Sequence, residues 1–202
     1  MLFRTASSII IAAALLCAAL SPAGLRAEER TANPMVIVKT TLGDFTIELY
    51  PDKAPITIEN FINYVDKKFY DGTIFHRVIP NFMIQGGGFL PDMTQKDPGA
   101  PIKNEAANGL KNEKYTIAMA RTNVIDSATC QFFINVADNP GLDHKDKTQR
   151  GFGYAVFGKV IEGTAIVEAI KGARTTTKGM HENVPVKPVI IYSIRVIEPE
   201  EE

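Results

Sequence analysis

Arg77 stands alone as a cation in a run of apolar and amide residues, Phe75-His76-Arg77-Val78-Ile79-Pro80-Asn81-Phe82-Met83-Ile84-Gln85-Gly86-Gly87. Two strand-like segments, Phe75–Ile79 and Met83–Gly86, flank a Pro80-Asn81 turn. Strict alternation sends Phe75, Arg77 and Ile79 to one face and His76 and Val78 to the other. Met83 and Gln85 share a face, opposed by Ile84, with Phe82 close by at the turn. A guanidinium set among apolar groups, a thioether and an amide suits a neutral ligand that carries carbonyls. His76, placed opposite Arg77, reads as a structural hydrogen-bonding residue. Gly86-Gly87-Gly88 lacks the strand-to-helix setting of a phosphate loop. His144 and His181 have no second ligand at metal spacing.

Short strands separated by turn signals must position these groups. Met35–Lys39 and Phe45–Tyr50 alternate and are joined through Gly43. Ala54–Lys68 is predicted as a helix, with Pro55 in its first turn and Ile58, Phe61, Ile62 and Val65 on one face. A long loop, Phe89–Gly109, precedes three further strand-like runs, Tyr115–Ala120, Gln131–Asn135 and Tyr154–Val160. Gly163–Lys171 reads as a second helix, and Val189–Ile197 as a last strand entered through Pro185 and Pro188. Many short strands and two helices predict an antiparallel sheet closed into a barrel, with the helices at its ends. Cys130 reads as a small buried hydrophobe.

Arg4, the apolar run Ile9–Leu20 and the small-residue tail through Ala27 have the layout of a secretory signal peptide. The apolar run is short for a membrane span. Cleavage is expected after Ala27, with Ala23 the alternative. Of 202 residues, loss of 27 leaves 175, enough for one domain with one core. It removes two arginines and no acid, so the formal charge moves from −1 to −3. A mildly acidic chain without a basic patch is a poor nucleic-acid binder. The expected organisation is a signal peptide (1–27), a leader (28–34), one domain (35–198) and an acidic tail (199–202). Export to the periplasm follows as the expected location.

Three blocks resemble the cyclophilin family of peptidyl-prolyl cis–trans isomerases: Phe75–Gly87, Ser127–Asn135 with its Gln131-Phe132-Phe133-Ile134 core, and Phe157-Gly158-Lys159-Val160. Their order and spacing are the family's, over about residues 35–197. With the Met119–Thr122 run, the chain is most similar to the periplasmic bacterial branch. The resemblance implies a mainly β fold, a closed eight-stranded antiparallel barrel capped by two α-helices, with a groove that binds peptide around proline. By the same resemblance Arg77 is the catalytic guanidinium, and Phe82, Met83, Phe133 and Leu142 form the proline pocket. Gln85 and Gln131 bind peptide backbone or orient Arg77. Ala120, Arg121 and Thr122 form the groove floor beside the residue preceding proline. Tyr154 takes a place where histidine is common, and Arg121 one where asparagine is found. Gly141 stands where many members carry an aromatic residue, so weak binding of the family's inhibitor cyclosporin is expected.

Rotation about an imide bond meets a barrier of roughly 18–20 kcal/mol that comes from amide resonance. No bond is made or broken, so no cofactor or metal is required. A donor aimed at the prolyl nitrogen stabilises the twisted state, in which that nitrogen recovers its lone pair. The partners expected are proline-containing peptides and unfolded exported proteins, met by a monomer without stable membrane association after cleavage. Two other readings of the residues stay open: a groove that only holds peptides, and a small-ligand carrier barrel. Large Phe and Ile residues on many strands argue against the carrier, because they fill the interior.

Overall fold

A computed structural model describes residues 33–197. The expected signal peptide, most of the leader and the acidic tail lie outside the described residues. In chain order the first five strands are β1 (Met35–Thr40), β2 (Gly43–Leu49), β3 (Phe75–Ile79), β4 (Met83–Gly86) and β5 (Thr116–Met119). Further along come β6 (Phe132–Asn135), β7 (Val156–Glu162), β8 (Thr175–Lys178), β9 (His181–Pro185) and β10 (Ile191–Ile197). Helix α1 spans Pro55–Asp66 and α2 spans Thr164–Lys171. The helices and eight of the strands fall where the sequence pattern places them, within a few residues at their ends.

Eight strands form one antiparallel sheet in the order β10-β1-β2-β7-β5-β6-β4-β3. The expected closed barrel does not form: the sheet is an open half-barrel whose end strands are β3 and β10. Between them lie one isolated bridge, Ile74 with Ile190, and backbone bonds such as Phe75 N–H to Val189 O at 3.0 Å. Pro188, lacking an N–H, interrupts the chain where a ladder against β3 would have to begin. A forked ion pair spans the same seam, Arg195 Nη1 and Nη2 donating to Asp71 at 2.9 and 2.6 Å.

The concave face holds the main core. Phe45, Ile47, Leu49, Ile84, Ile117, Phe132 and Phe157 point inward from the strands. Phe61 of α1 packs on Tyr70, Phe132 and Phe157 with ring centroids 5.2–5.9 Å apart. Val167 and Ile170 of α2 join the same cluster. Cys130 is buried among these residues, as expected. The β8–β9 hairpin went unread in the sequence because Thr175–Lys178 and His181–Asn183 carry no apolar alternation; of the pair, only Val184 and Pro185 are buried.

Helix α1 lacks a capping side chain at Ala54, and a distant loop supplies one. The Glu105 carboxylate accepts from Ile56 N at 3.1 Å, and from Thr57 N and Oγ1 at 2.7 Å each. An anion there satisfies orphan N–H groups and faces the positive end of the helix dipole. Glu105→Ala is expected to lower unfolding free energy by about 1–2 kcal/mol in urea titrations, with little change in m-value.

Candidate functional site

The outer face of the sheet carries the chemistry. Cross-strand pairing places Arg77 opposite Gln85, Gln85 opposite Phe133, Phe133 opposite Ala118, and Ala118 opposite Val156. These five residues form one row across β3, β4, β6, β5 and β7. Alternation sends Phe132 and Ile134 into the core and leaves Phe133 outside. Phe133, Met83, Ala118 and Val156 make a second buried cluster, with Phe82, Leu142 and Tyr154 packed around it.

A pocket of about 110 Å³ opens in this cluster. Arg77, Phe82, Met83, Gln85, Ala120, Arg121, Phe133, Leu142 and Tyr154 line it. Of the residues singled out in the sequence, Thr122 and Gln131 are not in its wall. The Thr122 hydroxyl bonds Ser127 Oγ at 2.8 Å and accepts from Val124 N at 3.2 Å, closing its own loop. Gln131 lies one step further out, where its Oε1 accepts from Gln85 Nε2 at 2.9 Å. Gln85 Oε1 in turn receives Arg77 Nη1 at 3.5 Å. The side chains thus form a relay, Arg77 to Gln85 to Gln131. Gly88 permits it, because a Cβ there would sit 2.5 Å from Gln131 Cγ.

Arg121 lines the pocket with its side chain engaged elsewhere. Its head group is spent on three carbonyls: Nε to Gly153 at 2.9 Å, Nη1 to Thr122 at 2.9 Å and Nη2 to Gln149 at 3.1 Å. The guanidinium also lies 4.7 Å from the Tyr154 ring centre, and that ring meets Phe133 edge-on at 5.7 Å. Arg121 therefore ties the 149–154 segment against the pocket.

Alternation also misplaced two residues of β3. The register shifts between Phe75 and Arg77, so β3 carries one extra residue against β4. This bulge re-aims the side chains. Phe75 turns into the core, while His76 and Arg77 line the same outer cleft instead of opposite faces. Burial, then His181, then Arg77, lower the His76 pKa from 6.5 to about 4.

An amide network beneath the pocket escaped the sequence reading. Asn139 Nδ2 donates to Phe82 O at 2.8 Å and to Asn135 Oδ1 at 2.7 Å. Asn135 Nδ2 reaches Thr116 Oγ1 at 2.9 Å and Asn112 Oδ1 at 3.3 Å, and Asp143 accepts from Asn112 N at 2.8 Å. The network holds Phe82 and the turn carrying Leu142. Its only sequence signal was Asn135 closing an otherwise apolar strand.

A model of the family "Cyclophilin type peptidyl-prolyl cis-trans isomerase/CLD" matches residues 35–196. The chain is 57% identical over 162 residues to the peptidyl-prolyl cis-trans isomerase cyp18 of Streptomyces antibioticus, covering 80% of this chain and 98% of that protein. It is 53% identical over 164 residues to peptidyl-prolyl cis-trans isomerase B of Escherichia coli (strain K12), covering 81% of this chain and 100% of that one. Among solved structures, a cyclophilin type isomerase of Cryptosporidium parvum superposes with a TM-score of 0.71 at 26% identity, covering 83% of this chain and 99% of its own. The same protein crystallised in the presence of the dipeptide Ala-Pro gives 0.70 at 26% identity, covering 82% and 99%.

His76 makes a pH test of the geometry. Its folded pKa lies below the unfolded value, so its contribution to stability is fully present above pH 6.5 and is lost as pH falls toward 4. The loss attributable to it is about 3 kcal/mol. His76→Phe should therefore flatten the fall in unfolding free energy between pH 7 and pH 4.5, measured by urea titration at each pH.

Proposed function

The chain belongs to the cyclophilin-type peptidyl-prolyl cis–trans isomerases, and on that premise we propose that Arg77 drives the rotation by donating to the prolyl nitrogen of a peptide held in the Phe133 pocket. The observation that carries this reading is the shared row: a guanidinium stands beside an apolar slot on one face, with a neutral amide as its one partner among the described residues. Phe82, Met83, Phe133 and Leu142 hold the ring. Ala120 and the Arg121-bound segment flank the residue before it. As the C–N bond twists, the nitrogen pyramidalises and its lone pair accepts from Arg77. The planar amide has no such lone pair to offer, so the bond favours the twisted state selectively. The guanidinium keeps its charge at any physiological pH.

A rate gain of five decades needs about 7 kcal/mol of differential stabilisation. One charge-assisted bond supplies roughly 1.5–3 kcal/mol. The remainder falls to the apolar pocket, which removes water that favours the polar planar form, and to positioning of the flanking carbonyl. The Cryptosporidium parvum protein crystallised in the presence of Ala-Pro supports a proline dipeptide as the minimal ligand class.

The substrates we assign are exported proteins during their folding, and the location is the periplasm. The support is the Arg4, Ile9–Leu20 and Ala27 layout at the start of the sequence. Processing after Ala27 would release a monomeric isomerase domain with no cofactor.

The decisive measurement is exchange on a short X–Pro peptide by NMR or a protease-coupled assay. Arg77→Ala, at matched fold content, is expected to lose about ten- to a hundredfold in kcat/KM. Equal exchange with and without the wild-type protein would overturn the mechanism and leave a peptide-holding groove. A second expectation concerns the inhibitor. A Cβ on Gly141 would meet nothing within 4 Å, and its neighbour Leu142 lines the pocket, so a larger side chain has room beside it. Gly141→Trp should tighten cyclosporin binding by about tenfold or more by calorimetry, through added apolar contact.

A further inference from the structure

The β8–β9 hairpin borders a second cleft, of about 440 Å³, that the rotation chemistry leaves unused. Its walls are His76, Arg77, Gln85, Phe89, Met180, His181 and Glu182. Arg77 and Gln85 also line the proline pocket, so the two cavities share one partition. Gln131 and Asn183 add neutral hydrogen-bonding groups.

His76 is the anomaly of this cleft. The residue is only 5% exposed, yet its Nδ1 has no hydrogen-bond partner among the described residues. Buried polar atoms in folded proteins are nearly always paired, so this one, which has almost no accessible surface of its own, meets a ligand in the cleft through a small turn of the ring. The chemistry of that ligand is narrow. Arg77 and Glu182 bring opposite charges to the walls, so the cleft selects neither sign, and a buried imidazole held neutral wants a neutral partner. A backbone amide, or a Ser, Thr, Asn or Gln side chain, satisfies both conditions. An apolar surface accompanies the polar one. The Phe89 ring lies 4.6 Å from His76 and 5.0 Å from His181, and Met180 is 97% exposed. An unbranched thioether presented this way adapts to varied side chains.

We propose that this cleft is a second subsite for the same polypeptide, holding residues a few positions from the proline on the Arg77 side and favouring a neutral polar residue there. An extended chain advances about 3.3 Å per residue, so one strand of peptide passes from the first cavity to the second across their common wall. The inference rests on the isomerase reading of the proline pocket.

The test compares a blocked Ala-Ala-Pro-Phe tetrapeptide with heptapeptides extended by three residues at either end, carrying Gln and Ser or, as a control, Lys. For wild type, one polar extension should raise kcat/KM about fivefold over the tetrapeptide, the gain of one well-made hydrogen bond. The Lys extension should not. In a Met180→Ser/His181→Ala protein that ratio should fall to about one. In wild type, the His76 Nδ1 nitrogen-15 shift should move with the polar heptapeptide and stay in place with the tetrapeptide, a readout that needs no variant. No turnover of the tetrapeptide by wild type would sink the isomerase mechanism itself. Turnover of all peptides at one rate, or a ratio that survives in the variant with a still His76 shift, would overturn the subsite alone.

Discussion

One row of cross-strand neighbours, Arg77–Gln85–Phe133–Ala118–Val156, sets everything else at the site. Its members lie on the outer face because their chain neighbours are claimed by the core. Phe132 is wholly buried against Phe61, Tyr70 and Phe75, with edge-on packing to Tyr70 at 5.5 Å and to Phe75 at 6.1 Å. A slip of one residue in β6 would put Phe133 among those rings and Phe132 in the groove. The aromatic cluster behind the sheet therefore fixes the register, and the register fixes the pocket. Function is held in place from the far side of the sheet.

The bulge in β3 is the one break in that regularity, and it falls where the chemistry needs it. Without an extra residue at Phe75–Arg77, either the Phe75 ring would leave the core or Arg77 would enter it. With the bulge, Phe75 packs inward, His76 lines the second cleft and Arg77 stands on the partition between the cavities. The surrounding loops are then fastened by polar groups rather than by strand pairing. Arg121 bonds three carbonyls, and Asn135 with Asn139 ties Phe82 to the Leu142 turn. Both clamps reach backbone carbonyls, so they constrain where the loops lie.

The legible parts of the sequence were those with a period. Phe75–Ile79, Met83–Gly86, both helices and the outward choice of Phe133 over Phe132 followed from alternation, turn residues and the family resemblance. Alternation alone failed at Phe75 and His76, since a bulge changes the count without leaving an apolar mark. The β8–β9 hairpin was missed for a related reason: Thr175–Thr177 are exposed or half-buried, so no core face is written there. Closure of the barrel was over-read, because strand number says nothing about whether the last edge finds a ladder or a proline-broken seam. Arg121 lines the pocket, and two of its three partners are carbonyls of residues 149 and 153, which no local pattern could announce.

The choice of partner for Arg77 follows from its proposed task. A carboxylate in the position of Gln85 would bind the guanidinium more tightly, since paired charges in a partly buried site attract strongly. It would also compete with the prolyl nitrogen for the same donors and cancel the field that favours a developing lone pair. Gln85 holds one Nη through a neutral oxygen at 3.5 Å, a weak tether, and is itself held through its Nε2 by Gln131. The relay thus fixes direction without consuming charge. Gln85→Glu is the substitution that separates these two demands. It preserves shape and strengthens the contact to Arg77, yet on this argument it slows rotation, because the guanidinium is now satisfied before the bond begins to twist.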